Sequence, residues 1–158
     1  MLNKVQKTTL FIRILGFKKI PLIFYCRPYV THISEESLSV KIKLKRRTQN
    51  HLKSMYFGVL AVGADLAGGI LAMQHINKID KKVVLVFKDF KAEFHKRADG
   101  DVVFTCADGK EIKALVKQAS ETGERQNLPL KLIATVPNKY GDEPVASFIL
   151  TLSLRKKY

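Results

Sequence analysis

Leu38, Val40, Ile42 and Leu44 alternate with Ser39, Lys41, Lys43 and Lys45. Strict alternation of this kind predicts a strand with one buried face and one wet, basic face. Before it the period is helical. Leu10, Ile14 and Phe17 fall at one helical spacing, and Phe11 and Leu15 at another. They predict a helix from about Val5 to Lys19, ended by Pro21. Residues 46–53 are polar and read as a loop. From about Tyr56 to Ile76 the chain is apolar nearly all round, as a buried helix is. Gly58, Gly63, Gly68 and Gly69 interrupt this segment, and an interior glycine costs a helix about 1 kcal/mol relative to alanine. Such a helix holds only where something approaches its backbone closely, and a sheet wrapped around it does that.

Strands follow. Val83 to Phe94 begins apolar and then sets Phe90, Ala92 and Phe94 on one face. Asp99-Gly100 and Asp108-Gly109 are turn signals on either side of a strand from Val102 to Cys106. Glu111 to Ala119 places Ile112, Leu115 and Val116 at helical spacing, with Lys113 and Lys117 outside, which fits a short helix or a distorted strand. Leu130 to Val136 and Val145 to Leu154 are the last strands, separated by a turn at Tyr140-Gly141-Asp142. Hairpin-length turns make the later strands largely antiparallel. One long central helix wrapped by a curved antiparallel sheet, with an extra N-terminal helix, is an α+β arrangement. The division predicted is a basic, apolar helical segment over residues 1–33 and one domain over residues 34–158.

Charge adds to this picture. Lys plus Arg is 28 and Asp plus Glu is 14, a net charge of +14. That imbalance points to an anionic partner: a phosphate-bearing ligand, nucleic acid or an acidic membrane face. It is uneven, with 11 Lys and Arg against Glu35 and Glu36 in residues 1–47, and 17 against 12 in the remainder. The N-terminal helix therefore has two readings: packed on the domain, or lying on anionic lipid as a peripheral membrane contact. The stretch from Leu10 to Tyr25 is broken by Arg13, Lys18 and Lys19, so it falls short of the roughly 20 apolar residues of a spanning helix. No small-residue cleavage site follows a clean apolar run, as in a signal peptide. Cys26 and Cys106 are far apart, no C-x-x-C occurs and the four histidines are scattered. A disulfide scaffold and a metal site are disfavoured, and a reducing cytoplasm fits. Tryptophan is absent and the phenylalanines read as core positions, which argues against nucleic acid as the partner.

Asp65 is the residue with the clearest chemistry. Its neighbours run Val62, Gly63, Ala64, then Leu66, Ala67, Gly68. A carboxylate in apolar company is desolvated and its pKa rises, which suits a general base or nucleophile. The plainer reading is a carboxylate paired with a buried cation or facing solvent. At the start of the same helix, around Phe57 and Gly58, free backbone N–H groups can hold an oxyanion. Gly58 and Asp65 are two turns apart on one face, about 10 Å along the axis. One helix cannot bring its own acid to its own donors, whereas a two-fold dimer with antiparallel central helices can.

The stretch NHLKSMYFGVLAVGADLAGG, from Asn50 to Gly69, resembles the hotdog-fold thioesterases, in particular the phenylacetyl-CoA thioesterase branch. That branch shows Asn, five residues, His-Gly-Gly, then an acid seven residues after the second Gly. The Asn falls on Asn50, the second Gly on Gly58 and the acid on Asp65, while Tyr56 and Phe57 stand where the branch has His and the first Gly. The resemblance is closer still to an uncharacterised hotdog family, a domain of unknown function. It implies a hotdog fold from about Ser34 to Arg155 and hydrolysis of a thioester on coenzyme A or an acyl carrier protein. The implied roles are Asp65 as base or nucleophile, the Phe57 and Gly58 N–H groups as oxyanion donors, Asn50 orienting loop or carbonyl, and Tyr56 donating through its hydroxyl. No cofactor is implied beyond the coenzyme A carried by the substrate. The assembly implied is a homodimer or a dimer of dimers. Lys88, Lys91, Lys96, Arg97, Arg155, Lys156 and Lys157 lie where a nucleotide tail passes or are solvated surface charge. Ser54 is expected to cap the central helix, and His51 to be a loop residue. The alternative function is a non-catalytic hotdog domain that binds acyl-CoA or lipid.

Overall fold

Asn3 opens the first helix with a reciprocal cap. Its side chain accepts from the Gln6 backbone N–H at 2.9 Å, and the Gln6 side chain accepts from the Asn3 N–H at 3.0 Å. The computed structural model describes residues 1–157, and in it this helix, α1, spans Lys4–Lys18, as the spacing predicts. Pro21 does end it, but as the first residue of a second helix, α2, over Pro21–Cys26. Proline suits that position because its missing N–H would be unbonded there anyway. Six residues that are almost all apolar carry no readable period, so α2 is not evident in the sequence.

Strand β1 (Tyr29–Ile33) is likewise unpredicted. It has a bulge between Val30 and His32, which breaks the alternation a strand is recognised by. Thr9 and Arg13 of α1 fasten to its start: the Val30 N–H donates to Thr9 Oγ1 and Arg13 Nε donates to the Pro28 carbonyl, both at 2.9 Å. Strand β2 (Leu38–Ile42) shows the expected alternation, with Leu38, Val40 and Ile42 buried.

The loop to the central helix is held by Thr48. Its hydroxyl donates to the Lys43 carbonyl and accepts from the Lys45 N–H. Helix α3 then runs Phe57–Ile79, with 14 of its 23 residues buried. It is long and apolar enough to cross a membrane, yet here most of it is buried in the core. Strand β3 (Val83–Phe94) and strand β4 (Val102–Cys106) match the predicted bounds. Helix α4 (Gly109–Thr122) settles the ambiguous segment as helix, with Ile112, Leu115, Val116 and Ala119 buried and Gly123 closing it in the left-handed conformation. Strand β5 (Gln126–Thr135), a short helix α5 (Pro137–Tyr140) and strand β6 (Pro144–Lys156) complete the chain.

The six strands form one antiparallel sheet in the order β1-β2-β4-β5-β6-β3. It curves around α3, burying Phe104, Leu130, Leu132, Leu150 and Leu152 against it. A Cβ on Gly63 would come within 2.2–2.4 Å of the Phe104 ring. The close approach expected of the glycine-containing helix is therefore realised at Gly63. Cys26 and Cys106 are both free and buried. Burial pushes the Cys106 thiol up to about 11.

Gly63→Ala is expected to destabilise the fold by about 1–3 kcal/mol, because overpacking Phe104 outweighs the roughly 1 kcal/mol that alanine gains in helix propensity. Urea denaturation checks this. A second prediction concerns Asp80, just past α3, which accepts from Lys156 Nζ at 2.9 Å, Ser120 Oγ at 2.7 Å and the Lys82 N–H at 2.9 Å. The Lys156 contact first, then the other two donors, hold its carboxyl below the usual range. Its contribution is complete above the ordinary aspartate pKa and fades as pH falls toward the lower folded value. Asp80→Asn should lower the melting temperature at neutral pH, and the deficit should shrink in acid.

Candidate functional site

The start of α3 is set by the turn before it. Asn50 Oδ1 accepts from the Leu52 and Ser54 N–H groups at 2.9 and 3.1 Å, and the Asn50 N–H donates to the Ser54 carbonyl at 2.7 Å. Asn50 thus builds the loop, and Lys53 takes the left-handed φ of 59° that closes it. Two further bonds seat the loop's end: Met55 N–H to the Ala98 carbonyl and Tyr56 N–H to the Thr48 carbonyl. Ser54 does not cap the helix. The N-cap is Tyr56, which gives no side-chain bond, because the Asn50 turn carries Ser54 two residues short of the cap position and buries it. His51 is exposed at the turn, as expected of a loop residue.

Among the described residues, the Phe57 and Gly58 N–H groups have no acceptor, whereas those of Val59 and Leu60 both bond the Tyr56 carbonyl. The free pair stands at the positive end of a 23-residue helix. Beside it opens a cavity of about 420 Å³, lined by Asn50, Phe57, Leu60, Phe94, Lys96 and Arg97 among others. The Tyr56 and Phe57 rings lie 4.7 Å apart, both exposed.

Asp65 lies further along the same face. A Cβ on Gly69 would be 3.6 Å from Asp65 Oδ1 and 3.6 Å from the Phe87 ring of β3. Asp65 is half-buried, and no hydrogen bond or ion pair reaches it among the described residues. Burial raises its pKa above the usual aspartate value. Within the protomer, no cation among the described residues pairs with it.

One protomer brings Asn50, Tyr56, Phe57 and Gly58 together but leaves Asp65 about two turns away. The face of α3 that carries both ends looks past β3, an edge strand of 12 residues with one side of its backbone unpaired. Phe90 and Phe94, opposite Leu150 and Ala146 in the register, remain exposed there. The basic residues near the strand ends divide. Lys91, Lys96 and Lys156 pair with Glu93, Glu143 and Asp80, while Lys88, Arg97, Arg155 and Lys157 have no carboxylate partner among the described residues. Phe87 and Phe94 escaped the sequence reading as site residues, because alternation assigns them to the core and the bulge between Phe87 and Asp89 is invisible in it.

The fold has counterparts. A Chlorobaculum tepidum protein of unknown function superposes with a TM-score of 0.78 at 12% identity, over 97% of each chain. A Pseudomonas aeruginosa protein of unknown function, described as a probable thioesterase, gives 0.76 at 24% identity, over 94% of this chain and 96% of that one. A thioesterase from Haemophilus influenzae gives 0.70 at 11% identity, over 99% and 93%. At these identities the likeness is one of fold. No curated protein matches the sequence. Residues 8–151, however, match a family described as a domain of unknown function, DUF4442. With the central helix wrapped by an antiparallel sheet, that match over most of the chain shows that it belongs to this uncharacterised family and has the hotdog fold.

Proposed function

We propose that the protein hydrolyses a thioester of coenzyme A or of an acyl carrier protein, in a site shared across a two-fold dimer. One observation carries the reading. A half-buried carboxylate without a partner and a pair of free helix N–H groups lie on one face of α3, too far apart to meet within a protomer. Pairing of β3 with its symmetry mate would continue the sheet and run two α3 helices antiparallel, bringing Asp65 of one protomer toward the Phe57 end of the other. The names of two structural neighbours support the same chemistry.

In this reaction the thioester carbonyl oxygen accepts from the Phe57 and Gly58 N–H groups. Asp65 takes a proton from water as the water oxygen bonds the carbonyl carbon. Collapse of the tetrahedral species breaks the C–S bond, and the thiolate leaves and takes up a proton. No step needs a metal ion. A non-catalytic acyl-binding role has one observation in its favour, the bulk of Tyr56 and Phe57 at the helix start. In that case Asp65→Asn would leave acyl-CoA binding intact and there would be no turnover to lose.

Asp65→Asn is expected to lower kcat by about 10²–10⁴-fold, the usual contribution of a general base, with little change in KM. Steady-state hydrolysis of a panel of acyl-CoAs checks it. For the wild type, kcat/KM should rise with pH through a pKa above the ordinary aspartate value, since the base works ionised. Stability should move oppositely. A raised carboxyl pKa costs the folded state stability as pH rises past the unfolded value, so Asp65→Asn should gain melting temperature at neutral pH and not in acid. Phe90→Glu, on the exposed edge, should yield a folded monomer without turnover, read by sedimentation and circular dichroism.

A further inference from the structure

The charge of the N-terminal third has no internal answer. Of its 11 cations only Lys41 forms an ion pair among the described residues, with Asp101. The two carboxylates of that third are taken elsewhere: Glu35 by Lys78 and Lys113, Glu36 by Lys110. The unpaired cations converge. A cavity of about 830 Å³ is lined by six of them, from Arg13 of α1 to Arg47 of the following loop, with Tyr25 and Tyr29 and no carboxylate. Two of its members are built in. Arg13 is fixed by the Pro28 and Arg27 carbonyls at 2.9 and 3.2 Å. Arg47 Nε is buried without a hydrogen-bond partner among the described residues. Placing like charges together costs folding energy, and an anion seated among them would offset that cost.

An apolar surface borders the cavity. Leu10 and Phe17 stand three residues before and four after Arg13, hence beside it on α1. Both are exposed, as are Ile14 on the same helix face, Ile20 in the turn, and Leu22 and Tyr25 on α2. Phe17 is 69% exposed and Leu22 58%. The Phe17 and Phe24 rings meet edge to face at 5.4 Å, so the patch is one surface across both helices. Lys18 and Lys19 rim its tip. Tyr25 belongs to both the patch and the cavity.

We infer that the α1–α2 hairpin docks on an anionic phospholipid surface, with its exposed apolar side chains at the headgroup–acyl boundary and the cations of the adjoining cavity on lipid phosphates. An apolar tip rimmed by lysines next to a cationic hollow suits an interface that changes from anionic to apolar within a few ångströms. A second copy of the chain is a poor occupant, because it would set one cationic cluster against another. The inference does not rest on thioester hydrolysis, because no residue of that site takes part.

The test is co-sedimentation of the full chain with phosphatidylcholine vesicles and with vesicles that also contain phosphatidylglycerol. Binding is expected only to the second and should weaken as salt is raised. Phe17→Ser with Leu22→Ser should reduce it by at least about tenfold, the transfer of two buried apolar side chains being lost. Lys45→Ala with Arg46→Ala should reduce it by about fivefold for each cation removed. All four side chains lie outside the buried core, and circular dichroism confirms that the variants fold. The chain lacks tryptophan, so Phe17→Trp supplies a lone reporter whose emission should shift to the blue on binding. Failure to bind phosphatidylglycerol vesicles, or an unshifted Phe17→Trp emission on vesicles that do bind, overturns the inference. So does binding that the Phe17 and Leu22 changes leave intact. If glycerol phosphate or an acidic acyl carrier protein binds while vesicles do not, the cavity serves a soluble anion and the docking is again excluded.

Discussion

The sheet closes around α3 because the helix has no side chain where Phe104 comes down on it. The ring fills the place of the missing Cβ at Gly63, and this approach lets Leu130, Leu132, Leu150 and Leu152 reach the helix from the neighbouring strands. Dispersion forces depend steeply on separation, so a helix held a fraction of an ångström further out would forfeit much of that contact. The rest follows from the closure. A helix so enveloped presents its remaining surface chiefly at its two ends and along the flank beside β3, with Phe57 and Gly58 at the N-terminal end and Asp65 on the flank. Core packing and site geometry thus have one cause.

That cause was legible in the sequence because glycine in an apolar helix contradicts helix propensity, and such contradictions need a tertiary reason. Strands β3 and β4 were legible to the residue, since turn dipeptides bound them or a face alternates. The second helix and first strand were not. Pro21–Cys26 is buried at Ile23 and Cys26 and exposed elsewhere, yet nearly every residue is apolar, so burial and sequence pattern part company there. The exposed apolar residues of α1 and α2 show the same thing from outside: hydrophobicity alone did not decide between packing on the domain and lying on a surface. Asp65 was legible as an isolated carboxylate. Its want of a partner was not, because absence of a contact is a property of three dimensions.

The chain also divides its charge by use. Eight of the 17 cations after residue 47 pair with carboxylates among the described residues, across short distances such as the 2.7 Å of Lys96 to Glu143 and of Lys78 to Glu35. Exposed pairs of this kind contribute little stability individually. Their effect is to leave the field of the molecule concentrated at the other end, around Arg13, Arg27 and the run from Lys43 to Arg47. A protein with the same net charge spread evenly would have a weaker and less directed potential.

The two thiols lend themselves to one more use. Cys106 lies in the central sheet, and Cys26 lies on the inner side of α2, beneath the hairpin. Burial keeps both protonated, so neither reacts while its surroundings stay closed. Each becomes alkylatable only when the structure above it opens, and the two coverings belong to different parts of the molecule. Their modification rates are therefore two separate clocks, one for lifting of the hairpin and one for rupture of the sheet. The ratio of the two measures how far the N-terminal helices move as a unit of their own.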